Sequence, residues 1–257
     1  MEYPKISINI VTYNRASYLS KAISSVLEQS FQDYELVIVD DGSTDDTESV
    51  IKSFVGKDKR IKYIKNETNL KISKARNRAL ANSKGKYIAV LDSDDCWCDV
   101  DKLRKQYEFL ESHPDYAAVG GSLIRVNKNG QELSRKINLS TDNDIRIRFL
   151  FKNPITHSTV MYRKDLAVEL GGYDETLAVG EDYDLMLKMG LKGKICNFKD
   201  IFTKYRVHDG SICSTDKLKS LKILYVIKKY KGLYPNYYIA FLKRWIKLFI
   251  GKLIFKK

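Results

Sequence analysis

The chain has 257 residues, of which 44% are hydrophobic, and this is enough apolar sequence for a sizeable core, so global disorder is excluded. The formal net charge of +13 would suggest nucleic acid as a partner, but the excess lies at the C-terminal end. Residues 217–257 contain twelve basic residues and no acidic one, whereas residues 1–216 contain 33 basic and 32 acidic residues. The body is therefore nearly neutral, and nucleic acid binding is not expected.

Cysteine usage and the N-terminal residues indicate the compartment. The cysteines at 96, 98, 196 and 213 do not have the spacing of a zinc site, and they fit reduced thiols. The first residues lead directly into a strand-like segment and lack the long apolar region of a secretory signal. We therefore expect the protein in the cytoplasm.

The first half of the chain alternates short β-rich runs with helical patterns, as βαβ units do. This rhythm predicts an α/β fold with a mostly parallel sheet and helices on its faces. The predicted strands are 6–11, 35–39, 61–64 and 87–91, and the predicted helices are 17–29, 45–54 and 72–82.

The second half is less regular. The predicted elements are a helix at 102–112, a strand at 117–119, a loop or hairpin at 127–144, a strand at 159–162, a turn at Gly171-Gly172, a helix at 182–189 and short strands between 195 and 208. With no repeat or low-complexity linker in view, we expect one domain at 1–215 and a basic helical tail at 216–257.

Two acidic clusters each follow a short apolar run. Asp40-Asp41 ends one predicted strand, and Asp92-Ser93-Asp94-Asp95 ends another. Ligands of open α/β sheets bind at the carboxyl ends of the strands, and crowded carboxylates there favour Mg²⁺ or Mn²⁺ bridging to substrate phosphates. The pattern predicts a metal-assisted enzyme that uses a nucleotide. Solvated turns and helix caps are the structural alternatives.

The nucleotide site cannot be either common phosphate loop, because G-x-G-x-x-G and G-x-x-x-x-G-K-[ST] are both absent from the sequence. A carboxylate after the second strand can instead accept hydrogen bonds from a base N–H or from ribose hydroxyls. The polar and aromatic residues after the first strand, Thr12, Tyr13, Asn14 and Arg15, would complete that pocket.

Over most of residues 5–210 the chain resembles the family-two inverting glycosyltransferases, which have the GT-A fold, and in particular those that assemble bacterial surface polysaccharides. Five segments in the right order carry the resemblance: INIVTYNR at 8–15, VIVDDGSTD at 37–45, KARNRA at 74–79, LDSDD at 91–95 and GEDYDL at 180–185. The resemblance implies a nucleotide-diphosphate sugar, such as a UDP-sugar, as donor.

The resemblance also implies roles for individual residues. Asp182 would be the catalytic base that deprotonates the acceptor hydroxyl, although Glu181 and Asp182 could instead only favour the helix N-terminus. The donor-side assignments are Asp41 on the base with Asp40 nearby, Arg76 on the base or diphosphate, Asp92 with Ser93 on ribose or sugar, Asp94 and Asp95 on Mg²⁺ or Mn²⁺, and His208 near the diphosphate or metal.

The tail between 237 and 255 is apolar but interrupted by basic residues. Lys243, Arg244 and Lys247 share one helical face, whereas Phe241, Leu242, Trp245, Leu248, Phe249 and Leu253 fill the rest. Central cations disfavour a transmembrane helix, so we expect a helix that lies on an anionic membrane at the inner face of the cell membrane. Docking on its own domain or on a second subunit is the alternative, and a homo-oligomer stays open.

Together these expectations describe a metal-dependent enzyme that moves one sugar to a hydroxyl of a lipid-linked saccharide. Two other functions stay open. The chain could bind nucleotide sugar or membrane with little transfer, or it could be a sugar nucleotidyltransferase, which would leave Glu181 and Asp182 without a role.

Overall fold

The computed structural model describes residues 3–208 and 217–254. These residues form an α/β fold in which helices cover both faces of one sheet, as the alternating pattern predicts. The nine strands found in the described part are β1 Ile6–Thr12, β2 Tyr34–Asp40, β3 Ile61–Lys65, β4 Tyr87–Val90, β5 Cys96–Trp97, β6 Tyr116–Val126, β7 Glu132–Lys136, β8 Met161–Arg163 and β9 Lys194–Arg206. The helices are α1 Ala16–Leu27, α2 Thr47–Val55, α3 Ile72–Ala81, α4 Lys102–Ser112, α5 Asp142–Arg148, α6 Lys164–Glu169, α7 Glu181–Lys192, α8 Lys217–Lys229 and α9 Tyr237–Ile254.

The N-terminal strands form the parallel part of the sheet, in the order β3-β2-β1-β4. Their buried Ile, Val and Leu side chains pack on both faces, which is why the strands read as nearly continuous apolar runs. Thr12 at the end of β1 pairs with Asp40 at the end of β2, and the Leu91 amide donates to the Asn9 carbonyl on β1. This register brings the ends of β1, β2 and β4 to one edge, as predicted.

The rest of the sheet is mixed. Strand β8 runs antiparallel to β4 and β6, β9 runs parallel to β6, and β5 and β7 pair antiparallel with β9 and β6. The prediction of a mostly parallel sheet thus holds for β1 to β4. In the second half of the chain, β5, β7 and β8 form antiparallel pairs. Strand β6 is longer than the predicted strand at 117–119, and β9 is one continuous strand where several short ones are predicted. Glycines and register shifts interrupt their apolar pattern, and a Cβ on Gly121 would lie 2.2 Å from the Phe202 ring.

Helices α8 and α9 pack on the same apolar core as α5 and α7. Val226, Tyr234 and Ala240 are buried in it, and the Tyr234 hydroxyl donates to the Leu187 carbonyl on α7 at 2.7 Å. Residues 209–216, which contain the predicted domain boundary, lie outside the described residues. The division at 215 therefore stays a prediction, while most of the basic tail packs on the body.

Helix α9 presents two different sides. Tyr237, Ala240 and Leu248 are buried, and Phe241 packs against the core, so these positions contact protein. The opposite side exposes apolar side chains, including Tyr238, Ile239, Leu242 and Ile246. The expected apolar face is therefore wrong at Phe241 and Leu248, because the core covers them. No helix in the described segments is long and apolar enough to cross a membrane.

Candidate active site

The loops that follow β1 and β2 are joined into one unit. Asn14 has a left-handed backbone, with φ of +51°, which asparagine tolerates better than most residues. Its amide donates to Ser43 Oγ at 2.9 Å, and its side-chain oxygen accepts from the Thr44 amide at 2.8 Å. The Arg15 amide donates to Thr47 Oγ1 at 3.1 Å. The predicted nucleoside-binding residues therefore stand on a fixed pair of loops.

The Asp40 and Asp41 carboxylates are buried and bonded within the protein. Asp40 accepts from the Ser43 amide at 2.9 Å and the Tyr63 hydroxyl at 3.1 Å. The bonds of Asp41 organise the segment that leads into α3. Its donors are Asn66 Nδ2 at 2.6 Å, the Leu70 amide at 2.9 Å and the Lys71 amide at 3.0 Å.

The residues after β1 differ in what they offer a ligand. The Thr12 side chain is buried, and its Oγ1 has no hydrogen-bond partner within the described part of the chain. Tyr13 is 42% exposed, so its ring is available to a base. Arg15 is partly exposed, and its Nε lies 3.9 Å from Asp94 Oδ2.

Arg76, on α3, forms the central ion pairs of the site. One guanidinium nitrogen donates to Asp92 after β4 at 2.8 Å, and the other donates to Glu181 at the start of α7 at 2.6 Å. Burial by itself would raise the pKa of Asp92, but Arg76 and His157 outweigh it and hold that pKa well below its usual range. Burial raises the pKa of Glu181 although Arg76 opposes the rise. Arg76 thus lies beside Asp92 and is engaged by protein carboxylates.

A 3₁₀ turn at His157–Thr159 supports the Asp92 side chain. His157 Nδ1 lies 3.3 Å from Asp92 Oδ1, and its Nε2 lies 3.1 Å from the Tyr173 hydroxyl. The Ser158 hydroxyl lies within hydrogen-bond distance of both Asp92 and Asp95. Through these contacts the turn holds the acidic segment after β4 in place.

Asp95 is buried and bonded within the protein. Its oxygens accept from the Ser158 hydroxyl and from the Arg206 amide, the latter at 2.8 Å. Burial, with smaller contributions from Asp94 and Asp92, raises the pKa of Asp95 well above its usual range. Ser93 is likewise buried. Asp95 is thus engaged by protein donors, and its assignment to the metal stays a prediction.

Asp94 and His208 do come together. His208 Nε2 lies 2.9 Å from Asp94 Oδ2, and the imidazole ring stacks on Tyr18 with 5.2 Å between ring centres. The Arg206 side chain donates to the Asp94 carbonyl at 2.9 Å and fixes this stretch of backbone. In residues 3–208 and 217–254 no group of three His, Cys, Asp or Glu side chains could hold a metal. A carboxylate and an imidazole still fit Mg²⁺ or Mn²⁺, which take other ligands from water and substrate phosphate.

Asp182 lies in the first turn of α7. This helix begins directly after Gly180, which has a φ of +86°. The Asp182 side chain is partly exposed and accepts from Asn153 Nδ2 at 3.4 Å. Two residues on, Asp184 is buried and pairs with Lys229 of α8 at 2.7 Å. The two carboxylates thus lie on different sides of α7, with Asp182 partly exposed beside Asn153 and Asp184 buried against α8.

Four functional contacts were not assigned from the sequence. They come from Glu181, Ser158, Tyr173 and Asn153, which touch Arg76, Asp92, His157 and Asp182 respectively. Glu181 had a signal in the GEDYDL segment, but its pairing with Arg76 joins residues 105 positions apart. The other three lie in segments with no periodic pattern.

The chain is similar to known proteins in both sequence and structure. Residues 7–171 match the model of the family described as glycosyl transferase family 2. The chain belongs to this family. A relative named amylovoran biosynthesis glycosyltransferase AmsE, from Erwinia amylovora, is 30% identical over 203 residues, which cover 78% of this chain and 75% of AmsE. The activity class predicted from the sequence, a glycosyltransferase, is thereby confirmed.

Solved structures confirm the GT-A fold. Staphylococcus aureus TarS 1-349 in complex with UDP-GlcNAc matches with a TM-score of 0.74 and 22% identity, covering 93% of this chain and 72% of that one. The mannosyltransferase PcManGT from Pyrobaculum calidifontis, in complex with GDP-Man and Mn²⁺, matches with a TM-score of 0.72 and 18% identity. That match covers 96% of this chain and 70% of PcManGT.

The Arg76 ion pairs predict a pH-dependent loss of stability on substitution. In Arg76→Gln two carboxylates lose their cation, and we expect the free energy of unfolding at pH 7 to fall by about 3 kcal/mol. The folded pKa of Glu181, which burial already raises, would then rise further, and that of Asp92 would rise above its unfolded value. The stability of the variant therefore falls as pH increases, and the deficit should be smaller at pH 4.5 than at pH 7. Urea unfolding at both pH values measures it.

Lys74→Gln provides the matched control, because Lys74 is an exposed cation on the same helix. It should change stability by less than about 0.5 kcal/mol at either pH. An Arg76→Gln deficit that is equal at the two pH values would contradict the proposed electrostatic role.

Proposed function

We propose that this protein transfers a single sugar from a UDP-sugar to a hydroxyl group of a lipid-linked saccharide, with inversion and with the help of Mg²⁺ or Mn²⁺. The observation that carries the proposal is the Arg76 bridge. It connects the acidic segment after β4 to the helix that begins with Glu181 and Asp182, so the proposed donor site and base would lie on either side of one guanidinium. The AmsE relative supports a role in polysaccharide synthesis.

The donor would lie across the carboxyl ends of β1, β2 and β4. Tyr13 offers an exposed ring to the base, and Asp40 and Asp41 shape the pocket that receives the nucleoside. The complex of TarS with UDP-GlcNAc supports a nucleotide-sugar donor on this fold.

Asp94 and His208 would hold the metal. When bound, Mg²⁺ or Mn²⁺ would screen the diphosphate and stabilise it as a leaving group. Arg15 approaches the same carboxylate and would add positive charge beside the diphosphate. The Mn²⁺ complex of PcManGT supports a metal on this fold.

Asp182 would act as the general base. Its carboxylate is partly exposed, and Asn153 donates to one of its oxygens. It would take the proton from the acceptor hydroxyl as the oxygen attacks the anomeric carbon, in a single displacement that inverts the configuration. A nucleotidyltransferase has no use for a base at this point, so the placement of Asp182 favours sugar transfer.

The exposed side of the C-terminal helices would meet the membrane. Leu221, Tyr225, Leu233 and the exposed apolar residues of α9 form an apolar surface, and Lys228, Lys231 and Lys243 are exposed near it. Apolar burial together with basic residues is the combination that binds anionic interfaces. We propose a peripheral position at the inner face of the cell membrane, with a lipid-linked acceptor.

Substitution of the base tests the reaction. Asp182→Asn should lower kcat by roughly 10²- to 10⁴-fold, because only general-base help is lost, while affinity for the UDP-sugar stays unchanged. UDP release with a panel of UDP-sugars and lipid-linked acceptors, together with detection of the glycosylated product, measures turnover.

Asp165→Asn is the matched control, since Asp165 is an exposed carboxylate in the first turn of another helix, α6. It should retain full turnover. An unchanged kcat in Asp182→Asn would show that Asp182 is not the general base. Formation of a nucleotide sugar from a sugar phosphate would identify a nucleotidyltransferase instead.

The membrane proposal predicts weaker vesicle binding when the exposed side of α9 becomes polar. Ile239→Ser/Leu242→Ser removes two side chains that do not contribute to the core, so folding should persist while affinity for equimolar phosphatidylglycerol and phosphatidylcholine vesicles falls more than about tenfold. Leu133→Ser/Val168→Ser removes two equally exposed apolar side chains elsewhere and should bind as the unmodified protein does. Equal binding by both double variants in a sedimentation assay would contradict this surface.

A further inference from the structure

A group of basic side chains lies on the β6–β7 hairpin and the segment after α5. We call Arg125, Lys136 and Lys152 the basic cluster. Lys136 pairs with Leu123 across the hairpin, and Arg125 pairs with Ser134, so Arg125 and Lys136 are diagonal neighbours on one face. Lys136 is half-buried, whereas Arg125 and Lys152 are exposed.

The basic cluster is not neutralised by the protein. Burial, with repulsion from Lys152 and Arg125, lowers the pKa of Lys136 to about 8. Within residues 3–208 and 217–254, no carboxylate forms an ion pair with any of the three side chains. A half-buried cation held beside two like charges is unfavourable unless an anion joins it.

The basic cluster lies next to the proposed base. Lys152 directly precedes Asn153, whose amide bonds Asp182 at 3.4 Å. Asn138, two residues after Lys136, donates to the Gly121 carbonyl at 2.7 Å and to Thr156 Oγ1 at 3.3 Å. These bonds tie the hairpin to the segment that carries Lys152 and Asn153, so the basic cluster is joined to the segment that contacts the proposed base.

Helix α9 contacts the same segment. Arg244 donates to the Phe151 carbonyl at 3.2 Å, and Lys243 Nζ lies 5.4 Å from the centre of the Phe151 ring. Helix α9 thus contacts the residue that precedes Lys152. A ligand could place a lipid tail at α9, an anionic group on the basic cluster and a saccharide hydroxyl at Asp182.

From this arrangement we propose that Arg125, Lys136 and Lys152 form an acceptor subsite that binds a phosphate group between the lipid and the sugar of the acceptor. Lysine and arginine side chains converging without acidic partners are the chemistry that recognises phosphate. The inference rests on the proposed function, because it assigns the acceptor side of the same site. It adds that the acceptor is an anion and that its charge is recognised by protein side chains.

Calorimetric titration with octyl phosphate, below the concentration at which it forms micelles, tests the subsite. Excess UDP is present throughout so that the donor pocket is filled. Octyl phosphate should bind saturably, whereas octyl glucoside should not. Lys136→Gln/Lys152→Gln should weaken octyl phosphate binding about tenfold or more, and Lys136→Arg/Lys152→Arg should retain it, because the charge is kept.

Lys57→Gln/Lys59→Gln is the control for charge alone, since these exposed lysines lie in the turn between α2 and β3. It should bind octyl phosphate as the unmodified protein does. A thermal melt of each variant confirms folding, and loss of Lys136 should not lower the melting temperature, because repulsion is relieved.

Three results would overturn the subsite. Octyl phosphate could fail to bind, or it could bind equally to the two glutamine double variants. Alternatively, Lys136→Gln/Lys152→Gln could weaken the binding of phosphatidylglycerol vesicles while its affinity for octyl phosphate stays unchanged. The last result would assign the basic cluster to bulk lipid headgroups. A separate titration of the protein with UDP alone distinguishes the two proposals, since a protein that binds UDP but no octyl phosphate refutes only the subsite.

Discussion

The guanidinium of Arg76 is the interaction on which the site depends. Asp92 follows a strand in the parallel part of the sheet, and Glu181 begins a helix of the second half, so neither element fixes the other through backbone hydrogen bonds. Arg76 makes a charge-assisted hydrogen bond to each carboxylate and is itself held on α3. One guanidinium thus joins the two halves of the domain at the proposed site.

Burial and partners assign different duties to neighbouring carboxylates. Asp94 meets His208 at the surface of the cleft, while Asp95 is turned inside and bonded to Ser158 and to the Arg206 amide. The same division recurs on α7, where Asp182 is partly exposed and Asp184 is buried and paired with Lys229. An acidic cluster that looks uniform in sequence thus contains both partly exposed and buried carboxylates.

Much of this arrangement follows from the sequence. The parallel half was predictable, because apolar runs of strand length alternate with amphipathic helices, and the strand-end position of Asp92 and Asp40 follows from that rhythm. The partners of these residues were not predictable. Arg76 and Glu181 are 105 positions apart. Strand β9 pairs in parallel with β6, which contains two glycines, and the register shifts between them follow no local sequence pattern.

The tail shows the same limit. Its basic and apolar composition indicates an amphipathic helix, but composition does not decide which side meets protein. Tyr237, Ala240 and Leu248 are covered by the core, so the exposed apolar surface is a narrower one than helical periodicity suggests. Helix α9 also contacts the segment that carries Asn153, through the bond from Arg244 to the Phe151 carbonyl.

Binding of Mn²⁺ in the presence of UDP is the most direct test of the account, because it depends on the donor loops, Asp94 and His208 at once. Electron paramagnetic resonance of free Mn²⁺ measures the affinity with and without UDP. We expect UDP to strengthen Mn²⁺ binding, and Asp94→Asn to weaken the UDP-dependent binding by about tenfold or more, the equivalent of roughly 1.4 kcal/mol. Mn²⁺ binding that is indifferent to UDP, or unchanged in Asp94→Asn, would contradict the assignment of these carboxylates to the donor site.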